Sequence, residues 1–516
     1  MTHNPTNFSP SDCDLLVIGG GVNGAGIARD AAGRGLKVAL VEQSDLAAAT
    51  SSASSKLIHG GLRYLELGEL RLVRESLRER ERLMAIAPHI VYPMEFILPH
   101  VTGLRPRWQL RLGLYLYDHL SARQRLARSR ALKLSNTSFG APIKPTITHG
   151  FAYSDCATDD ARLVILNAVD AAGRGATVLT RTRLMSAQRE PTWWTAKCVD
   201  MRTGAPLQIR ARAIVNAAGP WVDRVLRSLA GTHQPQARMR LIKGSHIVVP
   251  RLYEGSHAYI LQSPDGRVVF VIPYEGRFTL IGTTDVPCEQ QAEDVSISTD
   301  ETAYLINAVN EYLRRPIGSA DIVWSYAGVR PLVDDEALEA ASVTRDYRLE
   351  MDAAGPPLLS VYGGKLTTYR KLAETALGKL HRHIGGSPED WTHRAALPGG
   401  DLPGSDFNAF LRDVKRRWPF LAEPLAFRLA RSYGTRIETI VGSATRMDEL
   451  GKPFGAGLTA AEIDYLIASE WAVTAEDILW RRTKLGLHMT KEECSALARH
   501  LSARAIPERA AAAFRS

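Results

Sequence analysis

Cysteine is scarce in this chain. Its 516 residues hold five, Cys13, Cys156, Cys198, Cys288 and Cys494, odd in number and far apart. They form no C-x-x-C pair and no metal-ligand spacing, which speaks against a disulfide framework or a resident metal and suits a reducing cytoplasm. Long apolar runs are also missing. No stretch reaches the roughly 18 apolar residues that a bilayer-spanning helix needs. The chain does not open on a basic segment followed by an apolar one, and the polar residues 1–11, with Pro5 and Pro10, are expected to be a loose tail. No internal repeat, zinc-finger spacing or other nucleic-acid module appears, so nucleic acid is not an expected partner. Acidic residues are outnumbered, 55 against 64 Lys and Arg, giving a formal charge of +9 and a pI near 9.3. Such a balance suits a phosphorylated substrate, an anionic lipid surface or nucleic acid, and charge alone does not choose among them. The hydrophobic share of 45% and charged share of 23% are those of a globular protein. The length exceeds what one core organises and suits two or three domains.

The stretch from Asp14 to Tyr64 organises the rest. Leu15-Leu16-Val17-Ile18 reads as a buried strand, and Gly19, Gly21 and Gly24 then fit G-x-G-x-x-G. A small-residue helix with Ala28, Ala31 and Ala32 follows, and a second strand, Val38-Ala39-Leu40-Val41, ends at Glu42. This is a complete dinucleotide-binding unit. Gly19 permits the tight turn, Gly21 admits a pyrophosphate close to the backbone, and Gly24 lets helix and strand pack. The helix N-terminus offers N–H groups and a positive dipole end to the phosphates, and Glu42 can accept from a ribose. Thr50-Ser51-Ser52-Ala53-Ser54-Ser55-Lys56 is rich in hydroxyls, which suits a loop lying along a long polar cofactor. It runs directly into Leu57-Ile58-His59-Gly60-Gly61-Leu62-Arg63-Tyr64, where Gly60-Gly61 would let backbone lie against a flat ring.

Residues 14–64 resemble the FAD-dependent, membrane-associated, quinone-reducing glycerol-3-phosphate dehydrogenases, within the wider group of D-amino-acid-oxidase-like flavoproteins. Ser54 to Tyr64 is the most specific part. The likeness extends to about residue 510 through Ile242-Lys243-Gly244-Ser245-His246, Gly282-Thr283-Thr284-Asp285, Gly328-Val329-Arg330-Pro331 and Gly363-Gly364-Lys365-Leu366-Thr367-Thr368-Tyr369-Arg370.

Further along, a helix is expected from about residue 65 to 87, ended by Pro88, and a strand within 90–101. Residues 104–130 hold seven arginines, at 105, 107, 111, 123, 125, 128 and 130, against one acid, Asp118, with Trp108, Tyr115 and several leucines among them. The segment suits a membrane interface with arginines near anionic headgroups, or a surface helix packed on its own domain. A helix and strand are expected over 160–184. Ile214 to Trp221 reads as a strand whose small terminal residues, Ala218 and Gly219, either approach the cofactor or make a plain turn. Residues 240–330 read as an antiparallel sheet. Leu358 to Tyr362 reads as a strand returning to the first sheet, followed by a glycine turn and a helix. A Gly/Pro-rich joint at 397–404 precedes a mostly helical segment with no catalytic constellation.

The resemblance implies an α/β fold: a Rossmann-like FAD-binding domain (1–75, 150–240 and 355–390), an antiparallel-sheet substrate domain (76–149 and 241–354) and a C-terminal helical domain (397–516). It implies FAD along Gly19, Gly21, Gly24, Glu42, Thr50, Ser51, Ser55, His59, Gly60, Gly61, Leu184, Ala218, Gly219, Gly364, Lys365, Leu366 and Thr367, with Leu184 beside the adenine. The activity it implies is oxidation of sn-glycerol 3-phosphate to dihydroxyacetone phosphate, by hydride transfer to flavin N5. Guanidinium and ammonium groups grip a phosphomonoester well. Arg63, Arg330 and Lys365, with Tyr64, are therefore the candidate substrate residues. His246 is the candidate base, its ordinary pKa lying near neutrality, while Arg330 or Lys365 is the alternative stabiliser of the developing alkoxide. No second dinucleotide fingerprint is evident, so electrons are expected to leave to a membrane quinone, with oxygen as the alternative. The expected location is the cytoplasmic face of the membrane, on an anionic lipid surface, with a homodimer left open.

Overall fold

In the computed structural model the described residues are 12–65, 68–121, 125–232, 239–334 and 346–504, without the Arg63 side chain. The tail 1–11, Arg123, Ala505 and the Arg63 side chain, on which expectations had been placed, lie outside them. Strand β1 (Asp12–Ile18), helix α1 (Val22–Gly33) and strand β2 (Val38–Val41) form the expected opening unit. β1 pairs in parallel with β2 and with the strand Pro206–Asn216. Leu358–Tyr362 pairs in parallel with Pro206–Asn216, bringing a distant segment into this first sheet of nine strands. Where they meet, residues 15–18, Val38–Val41, 213–215 and Leu358–Tyr362 are buried and mostly apolar, as strands covered on both faces are. The helices Asp160–Gly173 and Tyr369–Ile384 pack on α1, where Ala25, Ala28 and Ala31 are fully buried.

The second sheet has ten strands and is mostly antiparallel, with Met239–Pro250 and Trp324–Val333 in register over ten residue pairs. One pairing departs from the expected pattern: Ala258–Gln262 runs parallel to Val91–Pro99. Sheet membership also cuts across the expected domain boundaries. Leu57–Ile58 and His149–Thr158 belong to the second sheet, and Arg348–Asp352 to the first.

The C-terminal segment folds around its own apolar cluster, from Leu402 to Leu501. Its helices Phe407–Arg417, Glu423–Tyr433, Ala460–Glu470 and Lys491–Ala503 make the mostly helical segment expected after the joint. Thr459 and Thr490 cap the last two from their hydroxyls. Residues 477–482 differ, forming a π-helical turn. Buried ion pairs fasten this segment to the first sheet's body: Arg162 to Glu470, and Asp45 to both Arg481 and Arg482.

Candidate functional site

A cavity of 1140 Å³ is lined by residues of both sheets and of the C-terminal segment. Its wall starts at the turn between β1 and α1. Gly19 has φ +109°, and a Cβ there would stand 2.5 Å from the Ala217 carbonyl oxygen. A Cβ on Gly24 would stand 1.9 Å from the Gly19 oxygen, so packing alone demands glycine at both positions. Gly21 precedes α1 and no side chain caps that helix, although Ser51 Oγ accepts from the Val22 amide at 3.0 Å. Amides of the first turn have no intrahelical acceptor. The Glu42 carboxylate accepts from the Gly20 amide at 2.7 Å and the Ser44 amide at 2.8 Å. Burial raises its pKa, against the pull of those two amides.

At the other end, three segments distant in sequence meet. Arg330 donates to Asp285 Oδ1 at 2.6 Å, Thr283 Oγ1 at 2.8 Å and the Thr284 carbonyl at 3.2 Å. Lys365 Nζ lies 3.9 Å from the centre of the Tyr64 ring. It follows Gly363 and Gly364, whose φ values of +73° and +94° favour glycine. Ser55 lines the cavity, and its Oγ lies 2.8 Å from His246 Nε2. His246 stands behind the wall, buried, stacked on Tyr326 at 4.8 Å, with no hydrogen-bond partner at Nδ1. Burial, then the charges of Arg330 and Lys56, hold its pKa well below the usual value.

The family model described as FAD dependent oxidoreductase matches residues 14–370. The chain belongs to that family. A second model, the C-terminal domain of alpha-glycerophosphate oxidase, matches residues 391–504 of this FAD-dependent oxidoreductase. It is 52% identical over 503 residues to a glycerol-3-phosphate dehydrogenase of Pseudomonas aeruginosa, covering 97% of each chain. It is 50% identical to the aerobic glycerol-3-phosphate dehydrogenase of Escherichia coli, covering 95% of this chain and 97% of that one. It is also 50% identical to a D-erythritol 1-phosphate dehydrogenase of Brucella abortus, covering 94% and 97%. Among solved structures, a glycerol-3-phosphate dehydrogenase from Bacillus halodurans complexed with FAD aligns with TM-score 0.74 and 27% identity, covering 96% of this chain and 95% of that one.

FAD is the cofactor of this oxidoreductase family, and the residues present suit it. Each Glu42 oxygen keeps acceptor capacity after its amide bond. The buried Asn23 Oδ1 has no partner, and Asn23 Nδ2 donates to the Gly363 carbonyl at 3.1 Å, tying α1 to the second glycine turn. The cavity wall brings together Gly19, Gly21, Glu42, Thr50, Ser51, Ser55, His59, Gly61, Tyr64, Leu184, Ala218, Gly219, Arg330, Gly364, Lys365, Leu366 and Thr367. Gly24, Gly60 and His246 do not line it. Gly24 is a packing residue. The Gly60 amide instead donates to the Tyr117 hydroxyl at 2.8 Å, and a Cβ there would meet Leu77. Thr367 Oγ1 stands 3.4 Å from both backbone polar atoms of His59, joining the segment after Gly364 to the one before Gly60.

Sequence reasoning missed several wall residues. Asn23 lies between motif glycines and carries no signal of its own. Asp285 and Thr283 sat in a quoted motif, but their role as the grip on Arg330 exists only in the folded chain. The largest omission is the C-terminal segment, in which the sequence shows no catalytic constellation. Glu476, Trp480, Arg481 and Lys484 line the cavity, and Trp480 stacks on Trp324 at 4.5 Å. The π-helical turn that presents Trp480 and Arg481 is the local irregularity found often at functional sites.

Proposed function

We propose that this oxidoreductase converts the secondary alcohol of sn-glycerol 3-phosphate to the ketone of dihydroxyacetone phosphate and passes the electrons to a membrane quinone. The observation that carries the reading is the pair of cations, Arg330 and Lys365, in the same cavity wall as the glycine turn and Glu42. Relatives named glycerol-3-phosphate dehydrogenase, half identical over nearly the whole length, support the same substrate. The equally similar relative named for D-erythritol 1-phosphate favours a second reading, a longer polyol phosphate. Both substrates offer a phosphomonoester to the cations.

When bound, FAD supplies a hydride acceptor at N5 of its ring. Arg330 and Lys365 would hold the phosphate dianion or the developing alkoxide, and Tyr64 would fix Lys365 through its ring face. Low-dielectric surroundings strengthen such contacts. Ser55 lies between the cavity and His246, so the hydroxyl proton would pass to Ser55 Oγ while His246 Nε2 takes the serine proton. A neutral imidazole, which its depressed pKa ensures at working pH, is the form able to accept it. The first sheet and its helices would hold the dinucleotide, the second sheet the substrate, and the C-terminal segment would close the wall.

No described helix is long and apolar enough to cross a membrane. The helix Arg107–His119 packs Leu110, Leu114 and Tyr117 inward yet leaves Trp108 70% and Tyr115 53% exposed. That face, with its arginines, would rest on an anionic cytoplasmic leaflet and bring the site near a quinone.

Anaerobic addition of glycerol 3-phosphate to the FAD-loaded enzyme is expected to bleach the flavin. D-Erythritol 1-phosphate run in parallel ranks the two substrates by kcat/KM. Reoxidation faster with a short-chain quinone than with oxygen is the expected result. No bleaching with either phosphate ester would sink the reading, and peroxide production at the quinone rate would make the enzyme an oxidase.

A further inference from the structure

Behind the wall that carries Arg330 lies a carboxylate that no step above uses. Glu301 is 5% exposed and sits in the first turn of the helix Thr299–Asn310. Ser298 Oγ accepts from the Glu301 amide at 3.2 Å, and Glu301 Oε2 accepts from the Ser298 amide at 2.9 Å, a capping box. Lys243 Nζ also lies 2.8 Å from Oε2. Capping leaves Oε1 unexplained. It accepts from Ser245 Oγ at 2.8 Å and from Thr284 Oγ1 at 2.7 Å, and Thr284 Oγ1 accepts in turn from the Ser245 amide at 2.9 Å.

Both hydroxyl partners adjoin the site. Ser245 precedes His246 on the strand Met239–Pro250. Thr284 lies between Thr283 and Asp285, the two side chains that grip Arg330, and its own carbonyl is the third acceptor of that guanidinium. Burial alone would raise the Glu301 pKa. Hydrogen bonds from Lys243, the Ser298 amide, Thr284 and Ser245 outweigh it and hold the carboxyl at about 2, so it stays charged at working pH. Charge-assisted bonds of this kind are the stronger ones.

We propose that Glu301 is a positioning residue for the oxidation, tying the segment Thr283–Asp285 to the strand that carries His246 and so setting Arg330 against the substrate. The proposal rests on the reading of Arg330 as a site residue. Capping alone makes a different prediction, because glutamine serves a capping box as well as glutamate does.

The test uses full-length, FAD-loaded enzyme with glycerol 3-phosphate. Glu301→Gln is expected to lower kcat/KM about 10- to 100-fold, the scale of a displaced catalytic group, with FAD content near wild type; the Lys243 ammonium loses its partner and lowers the thermal midpoint, so the kinetics are read well below it. Combined with Arg330→Lys, it is expected to add little to the loss from Arg330→Lys alone, because both changes act on one guanidinium. Thr284→Val breaks the same link from the other side, leaves the Lys243–Glu301 pair intact, and is expected to lower kcat/KM similarly. It decides the matter if Glu301→Gln does not hold its cofactor. Wild-type kinetics in Glu301→Gln or Thr284→Val beside an impaired Arg330→Lys would overturn the proposal, as would fully additive losses. An unimpaired Arg330→Lys would instead overturn the placement of Arg330 in the site.

Discussion

Arg330 is gripped before any substrate arrives. Asp285 and Thr283 fix the guanidinium, which limits the entropy lost when a phosphate or alkoxide binds, but Asp285 also offsets part of its charge. Removing the arginine therefore does two things. On the proposed reading it would delete a charge-assisted contact and leave the Asp285 carboxylate without its arginine, facing the substrate anion. Arg330→Ala is expected to lower kcat/KM for glycerol 3-phosphate roughly 30- to 1000-fold, about 2–4 kcal/mol, with FAD content unchanged. Arg330→Ala with Asp285→Asn is expected to recover part of that loss, and steady-state kinetics on the two variants checks it. A double variant worse than the single one would assign Asp285 a role of its own. His246 makes a separate prediction. Its pKa is depressed, so the neutral base persists as pH falls through the ordinary histidine value near 6.5. The acid limb of the kcat profile is expected well below pH 6.5, and His246→Gln is expected to lower kcat more than it changes KM. A limb at pH 6.5 that survives the substitution would give the base role to another group.

The helix Arg107–His119 shows at the scale of an element how two expectations combine. It packs on its own domain and also presents an apolar, basic face. Trp108, Leu112, Tyr115 and Leu116 follow helical spacing on the exposed side, while Tyr117 on the inner side donates to Asp155 and accepts from the Gly60 amide. Arg107→Glu with Arg111→Glu is expected to weaken sedimentation with anionic vesicles at low salt and to leave activity toward a soluble quinone nearly unchanged. Equal, poor binding of the wild-type enzyme to neutral and anionic vesicles would exclude this face. The helix was legible from its composition, and β1, α1 and β2 were legible because the glycines, the small-residue helix and the terminal acid all lie within one local unit. Sheet membership was less so. Leu57–Ile58 follows the hydroxyl-rich loop directly in sequence, yet pairs with residues about a hundred positions away. No local period encodes such a partner. Gly60 and His246 were legible as motif residues but not as residues behind the wall, because sequence spacing carries no information about which face a side chain takes once two sheets meet.

At the scale of the whole molecule, the C-terminal segment is held by charges buried where it meets the rest. Arg162 and Glu470 are both fully buried, and Asp45 holds two arginines of the π-helical turn close to the Glu42 loop. Breaking one partner of such a pair leaves a buried charge, which costs more than the pair contributes. His89 lies at the same seam. It is fully buried and neither ring nitrogen has a partner, while its carbonyl accepts from Arg431 at 3.1 Å. Burial first, then the charges of Arg162 and Arg431, lower its pKa to about 3. The sign follows from linkage. Between the ordinary value near 6.5 and the folded value near 3, the unfolded chain holds a proton that the folded chain does not, so stability falls as pH falls through that window. The slope from this one group is about 1.4 kcal/mol per pH unit. His246 and His59 are lowered in the same direction and contribute alike. His89→Leu is therefore expected to lessen the loss of stability between pH 7.5 and pH 5.5, measured as the shift in urea midpoint, while the residual slope reports the other histidines. If the wild-type enzyme and His89→Leu lose equal stability over that interval, His89 takes up its proton within the folded seam, and the seam is open to water there.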